Sequence, residues 1–323
     1  MGGRAHLVWL GPRLPDLGWL AARSALARGG FSQVQLWGDA VALQADAAVR
    51  SLAAPGLVIR NLADLDEGSP QDGADARLRY LCATLPGAAA RADVWRLRIV
   101  RAEGGVYLDC DAIVLRSFEP LLALPAFVGL EYVCLPAALY GSRNPLRWAR
   151  AAGLLALRHA VTRGAGAGRR FAAVAGLFDL ACNNAVFGAQ PGSAFVRALC
   201  DAAAALPDRQ AQTLYELGPR LFERATGNRS SATCDVLPPS AFYPLGPEVC
   251  ADYVAADPQG RLGHTPHPDS YAAHLYDSVV RRRLGRQVDL RWLAGPGRAT
   301  MLGRMVGPWL AELQAVREAD AGA

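Results

Sequence analysis

Two carboxylates one residue apart, Asp109 and Asp111, close the stretch Gly104-Gly-Val-Tyr-Leu-Asp-Cys-Asp111. Strand side chains alternate between faces, so Val106 and Leu108 are expected on one side and Tyr107 and Asp109 on the other. Asp111 continues the Asp109 side while the chain stays extended, and Cys110 faces away. Where a buried strand leaves its sheet, such a pair can hold a hard divalent cation, with diphosphate and water filling the remaining octahedral positions. The plainer alternative is a capped turn, with one Asp bonded to backbone amides and the other solvated. Upstream, Asp93 and Arg96 stand three apart in a helical pattern and so share a face, where an intrahelical ion pair is the minimal expectation.

The elements that must position these groups read as strand, helix, strand. Val94, Leu97, Arg98 and Val100 repeat at helical spacing between Ala92 and Ala102, and Gly104 supplies a left-handed stop. His6-Leu-Val-Trp-Leu10, Val34-Gln-Leu-Trp37 and Leu57-Val-Ile59 read as strands, with helices at Arg23 to Gly29 and Asp75 to Leu85. This alternation predicts a parallel sheet flanked by helices, with ligands at the carboxyl ends of its strands. Ala112 to Leu115 and Ala126 to Tyr132 are expected as further strands, and Asn144 to Val161 as an Ala- and Leu-rich helix. The acidic segment from Asp64 to Asp75 reads as a solvated surface loop, and Arg163 to Arg170 as a mobile glycine-rich connection. The latter is no phosphate loop, because no Lys-Ser/Thr ends it and no strand leads into it. Leu302, Val306, Trp309, Leu310, Leu313 and Val316 form a helical apolar stripe expected to pack on the body.

Composition excludes several classes. With 323 residues and 52% hydrophobic content the chain can bury a large core, which rules out disorder. All 34 basic residues are arginine and the net charge is +5, but the arginines are scattered without interleaved aromatics, so nucleic acid is not the expected partner. Seven separated cysteines form no Cys-x-x-Cys pair, which argues against a zinc site or disulfide scaffold and for a reducing compartment. No signal-peptide pattern opens the sequence and no apolar run reaches a membrane span. The expectation is a cytoplasmic protein with no transmembrane segment, for which peripheral membrane contact stays open.

Asp93-Val-Trp-Arg96 followed by Gly104-Gly-Val-Tyr-Leu-Asp-Cys-Asp111 resembles the Asp-x-x-Arg…Gly-Gly-x-Tyr-x-Asp-x-Asp core of the sugar-transferase family with an Asp-x-Asp motif. That family includes yeast Golgi mannosyltransferases, α-1,4-galactosyltransferases, bacterial capsule enzymes and, more distantly, clostridial toxin glucosyltransferase domains. The resemblance implies a GT-A-like α/β fold, with a mostly parallel central sheet, flanking helices and further helices added. It implies one domain over residues 1–323, with nucleotide-sugar binding in about 1–135 and the acceptor side in about 136–323.

The same resemblance extends to site residues. It places Asp93 and Arg96 on the donor sugar, where a carboxylate beside a guanidinium offers acceptors and donors to a vicinal diol. It places Trp9 near the nucleotide base, where its indole can stack on uracil, with core packing as the alternative. Asp179-Leu-Ala-Cys-Asn-Asn184 resembles a second signature, an Asn followed by an apolar strand; Asn183 and Asn184 remain alternatives, and an Asx-turn is the plain reading. Leu217-Gly-Pro219 and Cys234 to Pro244 resemble architectural segments. Tyr271-Ala-Ala-His-Leu-Tyr-Asp-Ser278 resembles the closing motif, in which His274 joins Asp109 and Asp111 on one cation; an imidazole beside carboxylates suits Mn²⁺ better than Mg²⁺. Tyr107, Asp109 and Ser278 complete the donor-binding set. Val279 stands where the family has Trp. Arg281 to Arg283 and Arg286 can attract diphosphate or anionic lipid, or form a solvated helix face.

The reaction implied is transfer of a hexosyl unit from a nucleoside diphosphate sugar, UDP-linked, to an acceptor hydroxyl on a glycan, glycolipid or small molecule, with retention. Two other readings fit parts of the pattern: a catalytically silent nucleotide-sugar-binding protein, and a metal-dependent phosphatase or hydrolase, which the absence of lysine disfavours.

Overall fold

The computed structural model describes residues 3–52, 55–68, 72–164, 166–257 and 268–321. Nine strands are formed there: β1 (Arg4–Val8), β2 (Gln33–Gly38), β3 (Leu57–Asn61), β4 (Gly105–Leu108), β5 (Ala112–Val114), β6 (Ala126–Val133), β7 (Asp179–Ala189), β8 (Asp235–Leu237) and β9 (Ala272–His274). Seven of them make one sheet in the order β3-β2-β1-β4-β7-β6-β8. The first four are mutually parallel, β7 runs antiparallel to both β4 and β6, and β8 is parallel to β6. The mostly parallel sheet and flanking helices are as expected.

Alternation along the strands sorts side chains into two apolar layers. Leu7, Val106 and Leu108 join Trp19 and Phe118 on one face of the sheet. Val8, Tyr107 and Phe187 join Trp37, Leu97 and Val100 on the other, against the helices Gly73–Thr84 and Ala88–Glu103. The terminal stripe packs as anticipated: Leu302, Val306, Trp309 and Leu313 on the helix Met301–Ala321 are buried in the first layer.

Helix Ala88–Glu103 must turn into β4 within two residues. Gly104 has φ 64 and ψ −159, and Gly105 has φ 92, so both sit where an L side chain is strained, though Gly104 is not the left-handed helical cap that its position suggested. A Cβ on Gly105 would lie 2.7 Å from both the Arg4 carbonyl and His6 Nε2. The close approach has a purpose: fully buried His6 bonds the Gly104 carbonyl through Nε2 at 2.8 Å and accepts from Trp37 Nε1 at its Nδ1 at 3.2 Å. Both bonds together fix the neutral tautomer, and burial lowers the His6 pKa to about 4.

Several local expectations are corrected. Strand β1 ends at Val8, so Trp9 lies beyond it, although its amide still donates to the Trp37 carbonyl at 2.8 Å. Ala112–Val114 leaves the main sheet and pairs with β9. The two asparagines lie inside β7 rather than ahead of a strand. The acidic segment is not simply solvated. Arginines of the helix Ala88–Glu103 reach into it, Arg98 pairing with Asp66 and Asp75 and Arg101 with Asp72; residues 69–71 lie outside the described residues. Within Arg163 to Arg170, the part from Ala167 onward is helical (Ala167–Val174), and residue 165 lies outside the described residues. All seven cysteines are free thiols.

Candidate active site

At the carboxyl end of β4 the chain does not stay extended. The Ala112 amide donates back to the Asp109 carbonyl at 2.9 Å, so Asp109, Cys110 and Asp111 form a turn. The turn still brings both carboxylates to one side, and Cys110 points away, with Sγ 3.3 Å from the Val8 carbonyl. Burial pushes the Cys110 thiol well above its ordinary range, so it offers no thiolate.

His274 reaches the carboxylates through the small sheet, where Ala112 faces His274 across the β5–β9 pair. Its Nε2 lies 3.0 Å from Asp111 Oδ1 and 3.8 Å from Asp109 Oδ2, and one ligand atom from each of the three residues falls within 4.8 Å of the others. A second bond fixes Asp111: the Asp277 amide, opening the helix Asp277–Leu284, donates to Oδ2 at 2.8 Å. Burial works against both carboxylates being ionised. For Asp111, His274 and the Asp277 amide overcome it and hold the group below its ordinary value. For Asp109, burial and the Asp111 charge prevail over Arg96, and the pKa is raised. Burial disfavours a charged His274, yet Asp111 and Asp109 raise its pKa.

The second half of the site centres on buried Arg96. Its guanidinium contacts Asp93 Oδ1 at 3.1 Å and Asp109 Oδ1 at 3.2 Å, donates to the Asn184 carbonyl at 2.8 Å, and lies over the Tyr107 ring at 4.5 Å. Burial disfavours the cation, but Asp109, Tyr107 and Asp93 raise its pKa, so it stays charged. Tyr107 donates its hydroxyl to Asp109 Oδ1 at 2.7 Å. Asn184 Nδ2 donates to Asp93 Oδ1 at 2.8 Å, whereas Asn183 turns back and accepts from the Ala185 amide through Oδ1 at 2.8 Å. An irregularity in the β6–β7 ladder separates the two roles: Val128 pairs with Phe187 and Gly129 with Asn183, leaving Asn184 to Val186 outside that register. Asn184 is thus the one aimed at Asp93, and Asn183 makes the Asx-type bond.

Two other expected residues stand apart from this cluster. Trp9 is half-buried, its indole Nε1 donating to the Arg13 carbonyl at 2.7 Å, and it packs against the first apolar layer. Ser278 is exposed on the helix Asp277–Leu284, with its carbonyl accepting from Arg282 Nε at 3.1 Å.

Three groups escaped the sequence reading. Glu131, the lone acid in apolar β6, is buried and accepts the Tyr276 hydroxyl at 2.7 Å; burial pushes its pKa up to about 7 against that bond. A lone acid in an apolar strand is the signal that marks it. Tyr276 adopts φ 52 and sets its ring edge-on to His274, centroids 4.2 Å apart. Gly218, read as architectural, lies where a Cβ would be 3.1 Å from Asp93 Oδ2 and from Asn184 Nδ2, so its missing side chain leaves that carboxylate oxygen approachable.

Residues 32–128 match the family described as glycosyltransferase sugar-binding region containing DXD motif, a span that holds Asp93, Arg96, Asp109 and Asp111. No curated protein matches the sequence. Among solved structures, the chain is similar to the PaToxG glycosyltransferase at 14% identity over 69% of this chain and 67% of that one, TM-score 0.43. It is similar to the UDP-bound glycosyltransferase domain from the YGT toxin at 13% identity over 88% and 77%, TM-score 0.35. Mouse xyloside xylosyltransferase 1 in its apo form is similar at 11% identity over 74% and 86%, TM-score 0.41. The Asp-x-Asp turn at the end of β4 lies inside the segment, residues 32–128, that is similar to this sugar-binding-region family.

Proposed function

We propose that the protein transfers a hexosyl unit from a UDP-sugar to an acceptor hydroxyl, with a divalent cation, Mn²⁺ in preference to Mg²⁺, and with retention at the anomeric carbon. The observation that carries the reading is the convergence of Asp109, Asp111 and His274 within 4.8 Å beside the Asp93–Arg96–Asn184 network. The donor set suits the ion: two carboxylates give hard oxygens and one imidazole adds a borderline nitrogen. Without an ion, the raised His274 pKa lets an imidazolium supply the positive charge that Asp109 and Asp111 demand. A bound cation supplies Lewis-acid stabilisation of the charge that builds on a departing diphosphate.

The protein's own groups do the positioning. Asp93 Oδ1 is occupied by Arg96 and Asn184, which leaves Oδ2, beside Gly218, to accept from a sugar hydroxyl. Arg96, held by the Asn184 carbonyl, keeps Asp93 and Asp109 in fixed relation, so donor sugar and diphosphate are bound as one rigid unit. Tyr107 fixes the Asp109 rotamer; Trp9 and Ser278 are proposed at the base and diphosphate ends of the donor. In this reading residues 1–323 form a single domain, with donor binding in about 1–135 and the acceptor side in about 136–323.

The test is a panel of nucleotide sugars with MnCl₂, scored for nucleoside diphosphate release, with EDTA and Asp111→Asn as controls. The wild type is expected to consume at least one UDP-sugar, and Asp111→Asn to lose at least about a hundredfold while staying folded by circular dichroism. Equal turnover by both proteins defeats the metal reading. UDP-sugar binding without turnover, with every acceptor class offered, favours a silent binding protein instead.

A further inference from the structure

We propose that the surface built around the helix Pro145–Val161 docks the protein on an anionic membrane. The charge distribution is the first observation. Between Tyr132 and Phe178 the sequence has seven arginines and no Asp or Glu, so this stretch carries +7, whereas the rest of the chain, with 27 arginines and 29 acids, carries −2. In the structure Arg150 pairs with Asp179 and Arg158 with Glu248 from outside the stretch, while Arg143 and Arg147 lie exposed beside Leu146.

The second observation is apolar exposure in the same place. Of ten large apolar residues exposed among the described residues, five, Leu135, Tyr140, Leu146, Trp148 and Leu177, fall within this stretch. Leu146 is 76% exposed and Trp148 43% exposed, both on the first turn of the helix that Asn144 caps. Tyr140 sets its ring edge-on to Trp148, and Arg150, donating to the Leu177 carbonyl at 3.0 Å, brings exposed Leu177 alongside. Farther along the helix, Ala149, Ala152, Gly153, Ala156 and Ala160 face outward without a single charge. The helix is thus apolar on both faces, with Ala151 and Leu154 buried inward, Leu146 and Trp148 toward solvent, and arginines at the flank.

A second copy of the chain is the poorer occupant, because a symmetric pair would set the same seven arginines against one another. An anionic bilayer meets both features: Leu146 and Trp148 enter the headgroup boundary, Tyr140 takes the interfacial position common to Tyr and Trp, and the arginines meet lipid phosphates. The basic patch on the helix Asp277–Leu284 differs, since among the described residues no exposed large apolar residue accompanies it. Among the described residues no helix is long and apolar enough to cross a membrane, so the contact is peripheral.

The experiment is co-sedimentation of the full chain, without nucleotide or metal, with vesicles of phosphatidylcholine alone or mixed with phosphatidylglycerol. Binding to the mixed vesicles is expected to exceed binding to neutral ones at least tenfold and to weaken in 0.5 M NaCl. Arg143→Glu with Arg147→Glu, and separately Leu146→Asp, should each weaken it about tenfold, while Arg282→Glu retains it. All of these positions are exposed, so folding is preserved, which circular dichroism checks. Three results each overturn the proposal: no binding to mixed vesicles, binding indifferent to these variants, or a dimer in solution that Leu146→Asp abolishes without any vesicle binding. Because no donor is present, failure here leaves the transferase reading intact, and failure of the nucleotide-sugar panel leaves this one intact.

Discussion

Acidification from pH 7 to pH 5 should cost the fold about 2 kcal/mol through His6 alone. The imidazole is fully buried and its pKa falls from 6.5 to about 4 in the folded protein. Between those values the unfolded chain binds more protons than the folded one, so stability rises with pH across the window and is lost as pH falls. Linkage over those two pH values gives a contribution that is nearly complete at pH 7 and smaller by about 2 kcal/mol at pH 5, a tenfold-or-greater change in the unfolding equilibrium. The perturbation is His6→Gln, whose amide can still donate to the Gly104 carbonyl and accept from Trp37 Nε1 but does not titrate. The assay is urea unfolding of both proteins in EDTA at pH 7, 6 and 5. Glu131 acts in the opposite sense, since its folded pKa is raised to about 7 and its contribution, full below the ordinary carboxylate value, is lost as pH rises through 7. It is present in both proteins and cancels in the comparison. If His6→Gln loses as much stability as the wild type between pH 7 and pH 5, the account of His6 as the neutral clamp on the Gly104-Gly105 corner is wrong.

Two further outcomes follow from the same corner and from β7. Gly105→Ala combines a φ of 92 with a Cβ 2.7 Å from the Arg4 carbonyl, and should lower stability by at least about 2 kcal/mol in urea titrations; Gly73→Ala, with nothing within 4 Å, serves as the tolerated control. Asn184→Ala removes a donor to Asp93 and should reduce kcat/KM about tenfold or more at small cost in stability. Asn183→Ala should instead cost about 1–2 kcal/mol of stability, with kcat/KM changed less than about threefold. Interchange of those two phenotypes would show that the adjacent asparagines have the opposite roles.

What could be read in the sequence was whatever is fixed by neighbours along the chain. The helix before Gly104, the Asp93–Arg96 face and the alternation of Val106, Tyr107 and Leu108 each follow from a period, and they stand as expected, whereas the chain beyond Leu108 turns where it was expected extended. Other errors occur where distant residues decide. The segment from Asp64 to Asp75 is acidic, but nothing in its own sequence says that Arg98 and Arg101 reach into it. Asn183 and Asn184 are indistinguishable by type, and only the lapse in the β6–β7 register turns one to Asp93 and the other to its own backbone.

His274 shows this most sharply. By spacing alone it is an unremarked histidine, and only the family resemblance placed it with the aspartates. The structure delivers it through a three-residue strand whose partner begins one residue after Asp111: Ala112 faces His274, Ile113 faces Ala273 and Val114 faces Ala272. Side chains on a strand change face at every residue, so a slip of one position would bring Ala273 or Leu275 to the carboxylates and turn the imidazole away. Apolar burial is what forbids that slip, because Ala112, Ile113, Val114, Ala272 and Ala273 are all completely buried and belong to one layer. The position of the one imidazole beside Asp109 and Asp111 is therefore set by the packing of small aliphatic side chains around it, and this information is spread over segments too far apart for any local pattern to carry.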